Sequence, residues 1–338
     1  MTQADTETTA APMPPPGARP TAGRARTGPI AWLGIYFELA KARLAILVTI
    51  TTAVGFALGS LGPFDLPRFG WTLLGTALTA FGANILNQWM EAERDARMHR
   101  TRVRPLPSRR IRPDVALLLG LLSVVWGLLF LAAFANLLTA GLALLTEVLY
   151  LFVYTPMKTR SPLCTLVGAV CGGIPPLMGW TAATGGLHLG GWVLGAILFI
   201  WQIPHFLALA WLYRDDYERG GYRMLPIVDK SGRLTSLMAV VYSLALVPLG
   251  AAAMLAGLTG WIAALGSIAL GGGLVWTGLA LRRDLSPRSA RRLFFASLIY
   301  LPLLLGLLLL DSAALRNSVR HVGDRGPETA ETAPLAPR

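Results

Sequence analysis

Three oxygen-bearing side chains stand at i, i+4 and i+8 in the run NQWMEAERDARMHRTRVRPLP, residues 87–107: Asn87, Glu91 and Asp95. On a helix this spacing puts all three on one face. Arg94, Arg97, Arg100, Arg102 and Arg104 crowd the same stretch. Carboxylate and amide oxygens suit Mg²⁺, and arginines suit phosphate oxygens. The pattern points to a magnesium–diphosphate ligand at a membrane surface. Topology rules alone account for the arginines but not for the acidic ladder beside them. Glu93 falls on another helical face and is expected to be solvated.

The elements that position these groups are apolar. Of 338 residues, 54% are hydrophobic and 14% charged, the composition of a polytopic membrane protein. Spans are read at roughly 44–62, 70–90, 114–134, 137–155, 163–184, 190–212, 235–256, 261–281 and 293–311. No β alternation competes, so the expected fold is all-α, a bundle of nine transmembrane helices. The net charge of +12 does not mark a nucleic-acid binder. Lys and Arg crowd the loops after spans two, four, six and eight, and the other inter-span loops carry only Arg68. By the positive-inside rule the N-terminus and the basic loops are cytoplasmic and the C-terminus is outside. A multi-pass protein of the bacterial inner membrane is expected.

Residues 1–28 are rich in Pro, Ala and Thr, lack the apolar core of a signal peptide, and read as a disordered cytoplasmic tail. The membrane domain is placed at 29–311 and a second disordered tail at 312–338. Cys164 and Cys171 lie two helical turns apart, too far for a disulfide, and read as buried thiols. Two loops look alike: Asp95 to Pro107, and YRDDYERGGYRMLPIV at 213–228. Each follows an even-numbered span with acidic residues, arginines and an R-x-L-P string. Four spans separate them, so both open on one side, as a parallel repeat of four helices requires.

Larger strings carry a resemblance. N-x-x-x-E-x-x-x-D-x-x-M-x-R-T from Asn87 to Thr101, then RPLP from Arg104, YTPMKTRSP (154–162), GGIPPLMGW (172–180), WQIPHFLALA (201–210) and RDDYERGGYRMLP (214–226) together resemble the UbiA superfamily of intramembrane prenyltransferases, on its haem-prenylating branch. The likeness covers about residues 30–310. It implies transfer of a farnesyl group from farnesyl diphosphate to a vinyl group of haem B, with water added, giving haem O and diphosphate. It also implies Mg²⁺ held by Asn87, Glu91, Asp95 and Asp216, with Asp215 or Glu218 as substitutes for the last. The superfamily's second acidic pair is incomplete here, because Gly220 stands four residues after Asp216.

Arg100, Arg104 and Arg214 are candidate diphosphate contacts. Lys158 and Arg160 can equally grip phosphate or anchor topology. His205, preceded by Pro204 and three residues after Gln202, is a candidate haem contact, as iron ligand or hydrogen-bond partner, the alternative being a packed histidine. Eleven residues separate His205 from Asp216, so on one helix both face one cavity. Glu147 interrupts span four, either as a functional carboxylate or as a protonated, hydrogen-bonded one. The expected partners are the two substrates, the bilayer and a downstream haem-modifying membrane enzyme. Rival readings are a quinone precursor or chlorin as acceptor, and a transporter of haem or anionic lipid.

Overall fold

A computed structural model describes residues 28–324; of the tails expected at 1–28 and 312–338, residues 1–27 and 325–338 lie outside the described residues. Short helix α1 (Pro29–Leu39) leads into α2 (Ala42–Gly59). There follow α3 (Leu66–Asp95), α4 (Pro113–Ala135), α5 (Leu137–Met157), α6 (Cys164–Thr184) and α7 (Leu189–Leu212). The short α8 (Arg214–Arg219) and α9 (Leu225–Val228) then precede α10 (Arg233–Leu255), α11 (Trp261–Asp284) and α12 (Pro287–Asp324). Nine of the described helices, α2 to α7 and α10 to α12, are long and apolar enough to span, as expected from the apolar runs. No strand occurs among the described residues. Helix α12 runs to Asp324, past position 311, through the strong helix formers Ala313, Ala314 and Leu315.

Local chemistry sets the helix starts. Proline opens α1, α3 and α4, where a missing N–H costs nothing. Asp65 and Asn136 cap α3 and α5 by accepting the N–H of Arg68 (3.0 Å) and Thr139 (2.8 Å). Burial then separates central from peripheral helices. The spanning windows of α6 and α7 are 67% buried against 28% for α4, whose Leu118, Leu122, Val125 and Trp126 point outward. Outward apolar side chains are what lipid as solvent allows.

Helix α6 lies against α2 at very short range, because a Cβ at Gly55 would overlap the Pro176 carbonyl and one at Gly179 the Thr52 carbonyl. Helices α2, α3, α5 and α6, with one face of α7, surround a central cavity. The other face of α7 packs on α10 and α12 through Leu194, Ile197, Trp201 and Leu207 against Leu246, Tyr300 and Leu304.

The basic loops meet at one end of the bundle. Asp216 accepts the backbone N–H of His99 and of Arg100, each at 3.2 Å. Arg223 N–H donates to the Lys158 carbonyl (2.7 Å), and the Trp211 indole donates to the Leu285 carbonyl (3.0 Å). Loops four spans apart therefore touch, the arrangement a parallel repeat requires.

Candidate active site

Helix α3 continues without a break to Asp95, so its last turns carry Asn87, Glu91 and Asp95 down one buried stripe, exposed by 1%, 6% and 1%. All three line a cavity of about 360 Å³, within the range of small-molecule sites. Glu93 points away and is exposed, as its helical position requires.

Each rung of the ladder faces its own cation, and each cation comes from a different segment. Lys41 Nζ donates to Asn87 Oδ1 at 2.9 Å. Lys158 Nζ lies 2.6 Å from Glu91 Oε1. Arg104 Nη1 donates to Asp95 Oδ2 at 2.7 Å. Asn87 uses its amide hydrogens to tie Glu91 Oε2 and Thr155 Oγ1, both at 3.0 Å, which fixes the ladder against α5.

The electrostatics follow from that enclosure. Burial, with Arg104 and Lys158 close by, lowers the Lys41 ammonium to about 7 despite Glu91 and Asp95. Burial also opposes the Lys158 charge, but the Glu91 carboxylate outweighs it and the net shift is upward. Lys158 further sits over the rings of Tyr154 (4.8 Å) and Tyr222 (5.6 Å). Burial, with Glu91 and Asp95 nearby, pushes the Tyr222 phenol far up, so it stays a neutral donor.

Lys41 escaped the sequence reading. It occupies the corner between α1 and α2 with φ 46°, an uncommon backbone for a side chain of this kind. The corner is held from α3: Gln88 Nε2 donates to the carbonyls of Glu38 (3.2 Å) and Leu39 (2.6 Å). A single lysine before the first span looks like any topology anchor, and only the fold aims it at Asn87.

Of the other expected site residues, Arg100 and Gln202 also line the cavity. Arg100 stacks over Tyr213 (4.8 Å), and its guanidinium donates to the Tyr217 hydroxyl (3.2 Å). Gln202 spends its amide hydrogens on the carbonyls of Ala169 (3.1 Å) and Leu198 (2.9 Å).

Asp216, Arg160, Arg214 and His205 do not line it. Arg160 is exposed, and Arg214 stacks over Trp211 at 4.9 Å. The expected single helix from His205 to Asp216 ends at Leu212, and α8 redirects Asp216 to the neighbouring loop. There Asp216 also pairs with Arg219 (2.9 Å). Although partial burial opposes it, the N–H groups of Arg100 and His99 hold its carboxyl below the usual range. Helix α7 presents Gln202, Phe206 and Leu209 to the cavity. His205 falls on the side facing α12, stacked between Trp201 (5.2 Å) and Phe294 (4.7 Å), with Nδ1 2.9 Å from Ser297 Oγ. Cys164 and Cys171 are both free and buried, as expected.

Among the described residues, no group of three His, Cys, Asp or Glu side chains lies close enough to hold a metal by itself. That fits Mg²⁺ rather than opposing it, since Mg²⁺ commonly takes one or two carboxylates and completes its shell with substrate phosphate and water. Glu91, Asp95 and the Asn87 amide oxygen are hard oxygen donors of that kind.

A membrane bundle with an acidic ladder at one end of an apolar cavity is the architecture of an intramembrane transferase, and the chain belongs to the UbiA prenyltransferase family, which it matches over residues 48–299. Its similarity to named relatives is more specific. It is 42% identical over 289 residues to the protoheme IX farnesyltransferase of Solibacter usitatus, covering 83% of this chain and 99% of that one. It is 47% identical to the protoheme IX farnesyltransferase of an Anaeromyxobacter species, covering 83% and 94%. A UbiA homologue from Archaeoglobus fulgidus, solved bound to GPP and Mg²⁺, shares the fold with a TM-score of 0.59 at 14% identity, over 81% of this chain and 99% of that one.

Proposed function

We propose that this protein transfers the farnesyl group of farnesyl diphosphate to a vinyl group of haem B, with addition of water, giving haem O and diphosphate. The observation that carries the reading is the ladder with a cation for each rung, set at the end of an apolar cavity. The haem acceptor rests on the likeness to the protoheme IX farnesyltransferases.

The chemistry is ionisation of an allylic C–O bond, which builds negative charge on the leaving diphosphate. Lys158 and Arg104 now pair with the ladder carboxylates and Lys41 with its amide oxygen; with substrate present they turn to phosphate oxygens, joined by Arg100. Their release frees Glu91, Asp95 and the Asn87 oxygen to hold the metal. Bound there, Mg²⁺ supplies positive charge against the leaving diphosphate. Leu44, Val48, Ala80, Ala83 and Met178 give the isoprenoid an apolar wall and keep water from the allylic cation. The haem vinyl attacks that cation, water captures the resulting carbocation, and the proton that water then loses leaves with the diphosphate. Asp216 ties the two basic loops together over the site, and the basic-loop end is the cytoplasmic one.

The test is purified protein with haem B, farnesyl diphosphate and Mg²⁺, products read by mass spectrometry. The expected product is haem B plus farnesyl and hydroxyl, absent under chelation. Prenylation of a quinone precursor or chlorin, with haem B untouched, would overturn the acceptor assignment. Cysteine labelling within 94–113 and 214–233 from opposite membrane faces would overturn the single cytoplasmic site.

A further inference from the structure

One carboxyl lies in the cavity away from the ladder. Glu147 on α5 lines the cavity, is 5% exposed, and its Oε2 has no hydrogen-bond partner among the described residues. Thr76 on α3 lines the same cavity, is 1% exposed, and its hydroxyl likewise has no partner. Buried polar atoms are normally satisfied, and a carboxyl within a span is costly unless something pairs with it.

Depth separates this pair from the diphosphate. The Asn87–Thr155 hydrogen bond sets α3 and α5 level with each other. Glu147 precedes Thr155 by eight residues, roughly 12 Å at about 1.5 Å per residue of helix. Thr76 precedes Asn87 by eleven residues, roughly 16 Å on the same scale, so the two lie within about one turn in depth. A π-helical stretch, Leu149–Tyr154, begins just after Glu147, and Glu147, Tyr150 and Tyr154 all line the cavity around it. Such stretches gather at functional sites because they re-aim side chains that a regular helix would turn away.

An isoprenoid diphosphate is polar only at its head, which the ladder meets. An unpartnered carboxyl deeper in the cavity therefore serves the acceptor. In haem B the propionates are anionic and repel a carboxylate, and the apolar vinyl groups offer it no partner. The iron is the group that attracts one. Among the described residues no histidine lines the cavity, and His205 is enclosed between Trp201 and Phe294. We infer that Glu147 ligates the haem iron from the deep wall of the cavity, so that the vinyl edge of the macrocycle lies toward the ladder. This inference rests on the haem-farnesylation reading. Cys171, which also lines the cavity, is the competing iron ligand.

The experiment titrates haem B into purified wild type, Glu147→Gln and Cys171→Ser in lipid nanodiscs, following the Soret band and the electron paramagnetic resonance of the iron. Metal-free protoporphyrin IX and farnesyl diphosphate are titrated in parallel. Glu147→Gln should weaken haem B at least tenfold and change its spectrum, leaving both parallel affinities as in wild type; retained farnesyl diphosphate binding shows that the variant is folded. Cys171→Ser should behave as wild type. A wild-type haem affinity and spectrum in Glu147→Gln, an equal loss for the metal-free porphyrin, or a spectral change confined to Cys171→Ser would each overturn the inference alone. Failure of the wild type to bind haem B would instead overturn the haem reading beneath it.

Discussion

The loops after α3 and α7 hold the same kinds of residue on the same side of the bundle and use them differently. At the end of α3, Glu91 and Asp95 are buried in the cavity wall, each set against a cation from another segment. After α7, Asp215 and Glu218 are exposed, and Asp216 accepts two backbone N–H groups from the facing loop. The cause is local. Helix α3 delivers its acids inside because it runs unbroken to Asp95, whereas α7 stops at Leu212 and α8 turns its acids to the rim. An acidic cluster becomes a ligand site only where a helix carries it into an enclosed cavity; elsewhere the same groups cap and tie loops.

The comparison breaks most visibly at the ladder. Glu91→Gln and Asp95→Asn should each lower kcat/KM by about a thousandfold, the scale of losing a group aimed at developing charge, with membrane insertion unchanged. Near-normal turnover of both at limiting Mg²⁺ would put the chemistry elsewhere. Lys41→Met should cost about a hundredfold, as loss of a charge-assisted contact does, and should raise the KM for farnesyl diphosphate but not for haem B. A variant with unaltered kinetics would reduce Lys41 to a topology anchor.

Asp216→Ala sharpens the contrast between the loops. It should lower kcat/KM by about tenfold, speed hydrogen exchange at His99 and Arg100, and leave the Mg²⁺ midpoint where it is in wild type. A midpoint shifted as in Asp95→Asn would make Asp216 a metal ligand after all. The folded carboxyl is held below its unfolded value near 3.9, so the tie stabilises the fold above that value. That stability is lost only as pH falls through the lower folded value, and exchange at His99 and Arg100 should be insensitive to this group from about pH 5 to 9. The smallest effect belongs to the exposed cations: Arg160→Gln and Arg214→Gln should stay within about twofold in kcat/KM, as surface substitutions generally do. A tenfold loss in either would extend the site beyond the cavity.

Much of this molecule is written locally. Nine apolar runs long enough to cross a bilayer become nine helices of the described residues because lipid leaves the backbone no other way to satisfy its polar groups. The i, i+4, i+8 spacing of Asn87, Glu91 and Asp95 becomes one face because helical periodicity allows nothing else. Partner choice is written elsewhere. Lys41 meets Asn87 only because Gln88 clamps the α1–α2 corner, and Lys158 meets Glu91 from some seventy positions along the chain only because the α5–α6 loop folds over α3. His205 faces α12 rather than the cavity through the rotation of α7, and Asp216 faces a loop because α7 ends early. Helix rotation and termination are decided by packing between segments distant in sequence, and periodicity within one segment carries no record of them.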